Sequence, residues 1–215
     1  MNNQRENSFK NQPIKIVMIG MSYCAEWPLY LSSKFQIFNK GVNGDLTDGM
    51  VNRFEKDVLA EAPEYVLIWG FSNDITTGDR NKIKLITGNI KKNFHHIVEI
   101  ARQNHIIPIL GTQLTISYKK SIREFLYFII GKLTNRQGYT DFANREIAAL
   151  NNWLKIYAEE NEILLLKLEE QLSNRWGFRQ LRYTKEDGSH VTDLGYECLT
   201  AYAVPILTEY FSRVE

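Results

Sequence analysis

The chain has 215 residues, 44% of them hydrophobic and 24% charged, the composition of an ordinary globular domain whose core needs neither disulfides nor metal to fold. Its 26 Lys+Arg against 25 Asp+Glu leave a formal charge of +1, so there is no electrostatic case for nucleic acid or an anionic membrane surface as a partner. The two cysteines, Cys24 and Cys198, make no disulfide framework and fit a reducing compartment. Met1 to Gln12 is polar and lacks the apolar centre of a signal peptide, and no run reaches membrane-spanning length. The expectation is a flexible polar tail over 1–12, a single domain over 13–215, a cytoplasmic location and no integral membrane association.

Ile14 to Ile19 is a short apolar run ending at Gly20 and reads as a buried strand. Ala25 to Ser33 reads as a helix, and Phe35 to Phe38 as a second strand leading into the turn Gly41-Val-Asn-Gly44-Asp45. Leu46 to Ala60 has helical spacing at Leu46, Met50, Phe54 and Leu59, with Pro63 as its stop. Tyr65 to Trp69 is a third strand, again ending at a glycine, Gly70. Ile83 to Asn104 reads as a long helix and Ile106 to Leu110 as a fourth strand ending at Gly111. Ser117 to Tyr139 is long for a loop, and the spacing of Ile122, Phe125, Leu126, Ile129 and Leu133 predicts a helix of its own there. Residues 141–160 are helical, Ile163 to Leu168 is a fifth strand, and Thr192 to Phe211 is a last helix, kinked or broken near Pro205. This alternation predicts a three-layer α/β/α sandwich on a mostly parallel five-stranded sheet. Ligands in such sheets bind beyond the carboxyl ends of the strands.

Near the end of the chain stands Asp187-Gly-Ser-His190. An acid three residues before a histidine, on a turn made tight by Gly188, can set its carboxylate against one imidazole nitrogen. The other nitrogen is then free to take a proton from a hydroxyl. This is two thirds of a Ser-His-Asp triad, and Ser22, just after the first strand, supplies the third.

Four blocks line up in order: Gly20-Met-Ser22, Gly41-Val-Asn-Gly44-Asp45, Gly70-Phe-Ser-Asn73-Asp74 and Asp187-Gly-Ser-His190. Together they resemble the SGNH hydrolase superfamily, also called the GDSL lipase/esterase family, over nearly the whole chain. The resemblance implies its flavodoxin-like fold and hydrolysis of a carboxylic ester through an acyl-enzyme. It implies Ser22 as nucleophile, His190 as general base and Asp187 as its orienting acid. It also implies an oxyanion hole made by the Ser22 and Gly44 N–H groups and the Asn73 amide. The substrate expected is a small acyl ester, such as a short-chain ester, thioester, lysophospholipid or acetylated sugar. The usual first block of the family is Gly-Asp-Ser; here Met21 replaces the acid, which puts the hydrogen bonding of the nucleophile turn in question. The residues after Ser22, Tyr-Cys-Ala-Glu-Trp, are bulkier than the family's usual small polar ones, and the expectation is that they narrow or reshape the substrate site.

Other readings stay open at this point. Ser72 and Cys24 are rival nucleophiles, although a cysteine so placed is more often a buried small hydrophobe. An acyltransferase, a carbohydrate O-acetyl esterase and a non-catalytic binding protein retaining the fold are the alternative functions. The segment 117–139 reads as a core helix, as a dimer contact, or as a cap whose Phe125 and Phe128 line an acyl-binding wall. His95 and His96 are adjacent on a helix and point apart. There is no HExxH, paired CxxC or phosphate-cradling loop, so no metal or cofactor is expected. No G-x-S-x-G elbow is present, which argues against the α/β-hydrolase fold. Oligomeric state is not legible.

Overall fold

The computed structural model describes residues 13–116 and 138–214. Parallel strands β1 (Ile14–Gly20), β2 (Phe35–Gly41), β3 (Tyr65–Trp69), β4 (Ile107–Gly111) and β5 (Leu164–Leu166) form one five-stranded sheet in the order β2-β1-β3-β4-β5. Between and after them run α1 (Ser22–Ala25), α2 (Thr47–Asp57), α3 (Ser72–Thr77), α4 (Ile83–Gln103), α5 (Tyr139–Glu160), α6 (Leu168–Leu172) and α7 (Asp193–Val214). The expected polar tail (1–12) lies outside the described residues. So do residues 117–137, which hold Phe125, Phe128 and the expected cap helix.

The central strands read as unbroken apolar runs because both faces of the sheet are covered. Alternation along each strand sorts the side chains into two cores. Val17 and Ile19 of β1 and Val66 and Ile68 of β3 join Met50 and Phe54 of α2, Phe94 and Ile97 of α4, and Leu150 and Leu154 of α5. Ile16 and Met18 of β1 and Leu67 and Trp69 of β3 face the other way, into a cluster with Leu199, Ala203, Leu207 and Phe211 of α7. The α/β/α sandwich expected from the sequence is therefore the fold found.

Three local expectations differ from the structure. Ala25 to Ser33 is not a helix: the helix is the single turn Ser22–Ala25, and the chain then runs irregularly. The Asn39 side-chain amide takes the carbonyls of Cys24 (2.8 Å), Ala25 (3.3 Å) and Trp27 (3.3 Å), and Pro28 has no N–H to continue a helical ladder. The fifth strand is only Leu164–Leu166, because α6 begins at Leu168. Of the kink or break expected at Pro205, the break is absent: helix α7 continues through Pro205, which lies on its exposed side, where water can serve the carbonyl that the ring leaves unpaired.

What positions a site is the level at which the strands stop. Gly20 of β1 pairs with Gly41 of β2 and with Trp69 of β3, and Gly111 of β4 pairs with Leu166 of β5. The carboxyl ends thus form one even edge. The winding reverses between β1 and β3, which is where open α/β sheets leave a crevice for ligands.

Candidate active site

Three of the four blocks leave this edge side by side, from the ends of β1, β2 and β3. Ser22 opens α1 directly after Gly20-Met21, with Met21 in an extended conformation before it. Backbone bonds close the turn around Ser22: Ala25 N–H donates to Met21 O (2.9 Å) and Glu26 N–H to Ser22 O (2.9 Å). Met21 makes no side-chain cap; it is 1% exposed and belongs to the core. An apolar residue replaces the acid without leaving a polar group stranded. Ser22 is half-buried, and its hydroxyl makes no hydrogen bond among the described residues.

Gly44 has φ +76°, a backbone sign that L side chains rarely adopt, and the space a Cβ would fill is open. Its N–H donates to no described group. The Asn73 amide donates one N–H to Asp45 O (2.9 Å), so the third block is bonded to the residue after Gly44. The second N–H of that amide has no described partner. Val42 N–H in turn donates to Gly20 O (3.0 Å), tying the second block to the first.

Two residues given no role in the sequence reading hold this corner, Arg53 and the Asp74 that ends the third block. Arg53 of α2 donates to Gly20 O (3.0 Å), Lys40 O (2.6 Å), Asp45 Oδ2 (2.8 Å) and Asp57 Oδ2 (2.8 Å), tying the ends of β1 and β2 to the Gly44 loop. Asp74 accepts from the Thr47 hydroxyl (2.6 Å) and from the Thr47 N–H (3.2 Å), binding the first turn of α2 to the third block. Burial outweighs these hydrogen bonds and pushes the Asp74 pKa up to about 6. The folded protein therefore binds a proton here that the unfolded chain has lost above about pH 4. The stability this group contributes is complete below that pH and is lost as pH rises through about 6, about 3 kcal/mol in all for a shift of this size. Asp74→Asn, which keeps the accepting oxygen, is expected to remove this fall; urea titrations at several pH values from 4 to 7.5 check it, and parallel profiles for the two proteins would refute it.

The fourth block sits on the loop before α7. Gly188, at φ +77°, makes the turn. Asp187 Oδ1 accepts from Ser189 N–H (2.7 Å), His190 N–H (2.8 Å) and the Ser189 hydroxyl (3.1 Å), while Oδ2 pairs with His190 Nδ1 at 2.6 Å. Burial would raise the Asp187 pKa, but these donors outweigh it and hold the carboxyl well below the usual range. An anionic Asp187 on Nδ1 leaves Nε2 as the imidazole's open nitrogen, and Nε2 makes no hydrogen bond among the described residues. Ser22 and His190 are not bonded to each other. They meet through Tyr23, whose ring stands edge-on to the imidazole with centroids 6.5 Å apart and whose hydroxyl donates to Ser189 O (2.7 Å).

Of the bulky residues after Ser22, Tyr23, Cys24 and Trp27 are at most 4% exposed and belong to the core. Burial, partly opposed by Arg53, drives the Cys24 thiol pKa up to about 12, so it stays protonated at neutral pH and cannot serve as a thiolate. Ser72 is buried at the start of α3 and has no base bonded to it. His95 pairs with Tyr157 and Glu99 on the outside of α4. Among the described residues no group of three or more His, Cys, Asp or Glu is placed to hold a metal ion, and no helix is long and apolar enough to cross a membrane.

The five-stranded parallel sheet covered by helices is the α/β/α sandwich of the SGNH hydrolases. The model of the GDSL-like lipase/acylhydrolase family matches residues 22–198, and the chain belongs to that family. A candidate acylhydrolase from Bacteroides fragilis NCTC 9343 is 25% identical and superposes with a TM-score of 0.71 over 97% of each chain. The acetylxylan esterase Axe2 of Geobacillus stearothermophilus, solved as a catalytic mutant, is 16% identical, with a TM-score of 0.66 over 90% of this chain and 94% of its own. The lipoprotein YqeF of Bacillus subtilis (strain 168), described as uncharacterized, is 24% identical over 157 residues. That match takes in 73% of this chain and 60% of YqeF.

Proposed function

We propose that the protein is a serine hydrolase that cleaves a carboxylic ester through an acyl-enzyme on Ser22. The observation that carries this is the Asp187–His190 pair at 2.6 Å, in a chain whose Ser22, Gly44 and Asn73 blocks are bonded together at the carboxyl edge of the sheet. His190 Nε2 takes the Ser22 proton as Oγ attacks the carbonyl carbon. The Asp187 carboxylate stabilises the imidazolium that forms. The Ser22 N–H, the Gly44 N–H and the free N–H of Asn73 receive the oxyanion, each such donor contributing about 3 kcal/mol to the transition state. His190 then gives its proton to the departing alcohol, and water, activated by the same imidazole, releases the acid.

Short acyl esters are the substrate class we assign. Acetylated sugar hydroxyls are the second, with Axe2 among the structural neighbours as their support. The test is initial-rate hydrolysis of acetyl, butyryl and octanoyl aryl esters and of acetylated xylose, with and without added alcohol acceptors. Release of free acid independent of acceptor is expected. Transfer of the acyl group to acceptor in preference to water would make the protein an acyltransferase, and inertness toward every ester would make it a binding protein.

A further inference from the structure

His190 has a positioning problem that its own turn does not solve. The bonds between Asp187, Ser189 and His190 orient the imidazole against the carboxylate, but they are all local. They would move with the loop, and nothing in them sets its distance from Ser22. Two buried side chains cross that gap. Arg179 is 3% exposed; its Nη2 donates to Ser189 O (2.6 Å) and Gly188 O (3.1 Å), and its Nη1 to the Tyr23 hydroxyl (3.4 Å). Tyr23 is 4% exposed and donates to the same Ser189 carbonyl at 2.7 Å. The guanidinium carbon lies 5.6 Å from the centre of the Tyr23 ring. Both ends are anchored: Arg179 N–H donates to Thr115 Oγ1 (3.2 Å), and Tyr23 O accepts from the Tyr196 hydroxyl (3.2 Å). Tyr23 is the residue after the nucleophile, so a bond from its hydroxyl to the turn carries the position of α1 directly to His190.

We propose that Arg179 and Tyr23 are positioning residues that clamp the Asp187–His190 turn to the nucleophile helix. Charge-assisted bonds in a buried setting are stronger than exposed ones. A further link between these segments, Lys185 to Glu26 (2.9 Å), is partly exposed and contributes little. A planar fork is needed because one side chain must reach two adjacent carbonyls and a phenol at once, which an ammonium does not do. The inference rests on the roles given above to Ser22 and His190.

Steady-state kinetics on a short-chain aryl ester, the rate of fluorophosphonate labelling and thermal melts of Tyr23→Phe, Arg179→Lys, Arg179→Met and the double variant Tyr23→Phe/Arg179→Met test it. Tyr23→Phe is expected to lower kcat about tenfold. Arg179→Met is expected to lower it about 10²-fold, the scale of a small misplacement of a catalytic group. KM should change less than about twofold in both, because neither side chain is assigned to substrate binding. Labelling should slow in step with kcat, and Arg179→Lys should restore little. The double variant should lose much less than the product of the single losses, because both residues act on Ser189 O. Should Arg179→Met fail to fold, Tyr23→Phe decides alone. A labelled wild type whose folded variants keep normal kcat, or lose only KM or only melting temperature, overturns the clamp. A wild type that fluorophosphonate does not label overturns the hydrolase reading, and the clamp with it.

Discussion

Ser22→Ala is expected to lower kcat for ester hydrolysis by about 10⁶-fold, the loss seen when a triad nucleophile is removed and only binding and the oxyanion hole remain. The fold should be unaffected. The Ser22 hydroxyl makes no hydrogen bond among the described residues, the turn around it is closed by backbone bonds from Ala25 and Glu26, and Met21 before it is held by core packing. A stability change within about 0.5 kcal/mol is therefore expected. Assay of the purified variant beside its thermal melt checks both halves. Near-normal turnover in a folded Ser22→Ala protein would refute the nucleophile. Cys24, protonated and buried, is not an available substitute, and attention would pass to Ser72.

Asp187→Asn is expected to lower kcat about 10⁴-fold, the loss that follows when the histidine takes the wrong tautomer. The local bonds dictate the direction. Three donors converge on Oδ1, so an asparagine must keep its carbonyl oxygen there. Its NH₂ then replaces Oδ2 against His190 Nδ1, at 2.6 Å in the native pair. Nδ1 is forced to accept, the ring proton moves to Nε2, and the base can no longer take a proton from Ser22. Because the Oδ1 bonds survive, the melting temperature should move little. The measurement is kcat at neutral pH for folded Asp187→Asn. Less than about a tenfold loss would mean that Asp187 does not set the tautomer of a catalytic histidine.

The parts of this molecule legible in its sequence are those encoded by local pattern. The runs Ile14–Ile19 and Tyr65–Trp69 announce buried strands, and the stretch from Ile83 to Asn104 announces the long helix α4. Three of the four blocks carry the candidate site because each follows the end of a strand, and a parallel sheet brings such ends to one edge; the fourth, on the loop before α7, meets the first through the bond from Tyr23 to Ser189 O. What was not legible depends on partners distant in the chain. Asn39 keeps 27–32 from forming a helix by binding carbonyls twelve to fifteen residues away. The direction taken by Tyr23 depends on how sharply the chain turns from β1 into α1, so nothing in the residues around it marks its burial in the core. Arg179 reaches Tyr23 across 156 positions of sequence, and nothing in the residues around it marks it. Helix α3 lies in a stretch, Ser72–Thr77, whose Ser, Asn and Asp favour turns by propensity. It forms where Thr47 and Asp45 take up the side chains of Asp74 and Asn73.

The central claim is that Ser22 is the nucleophile activated by His190. Fluorophosphonate labelling of the wild-type protein, followed by peptide mass mapping, tests it most directly. The account predicts a single phosphonyl group on Ser22, absent from Ser22→Ala and slowed severely in His190→Ala. A phosphonyl group on Ser72, on a tyrosine, or nowhere at all would contradict it.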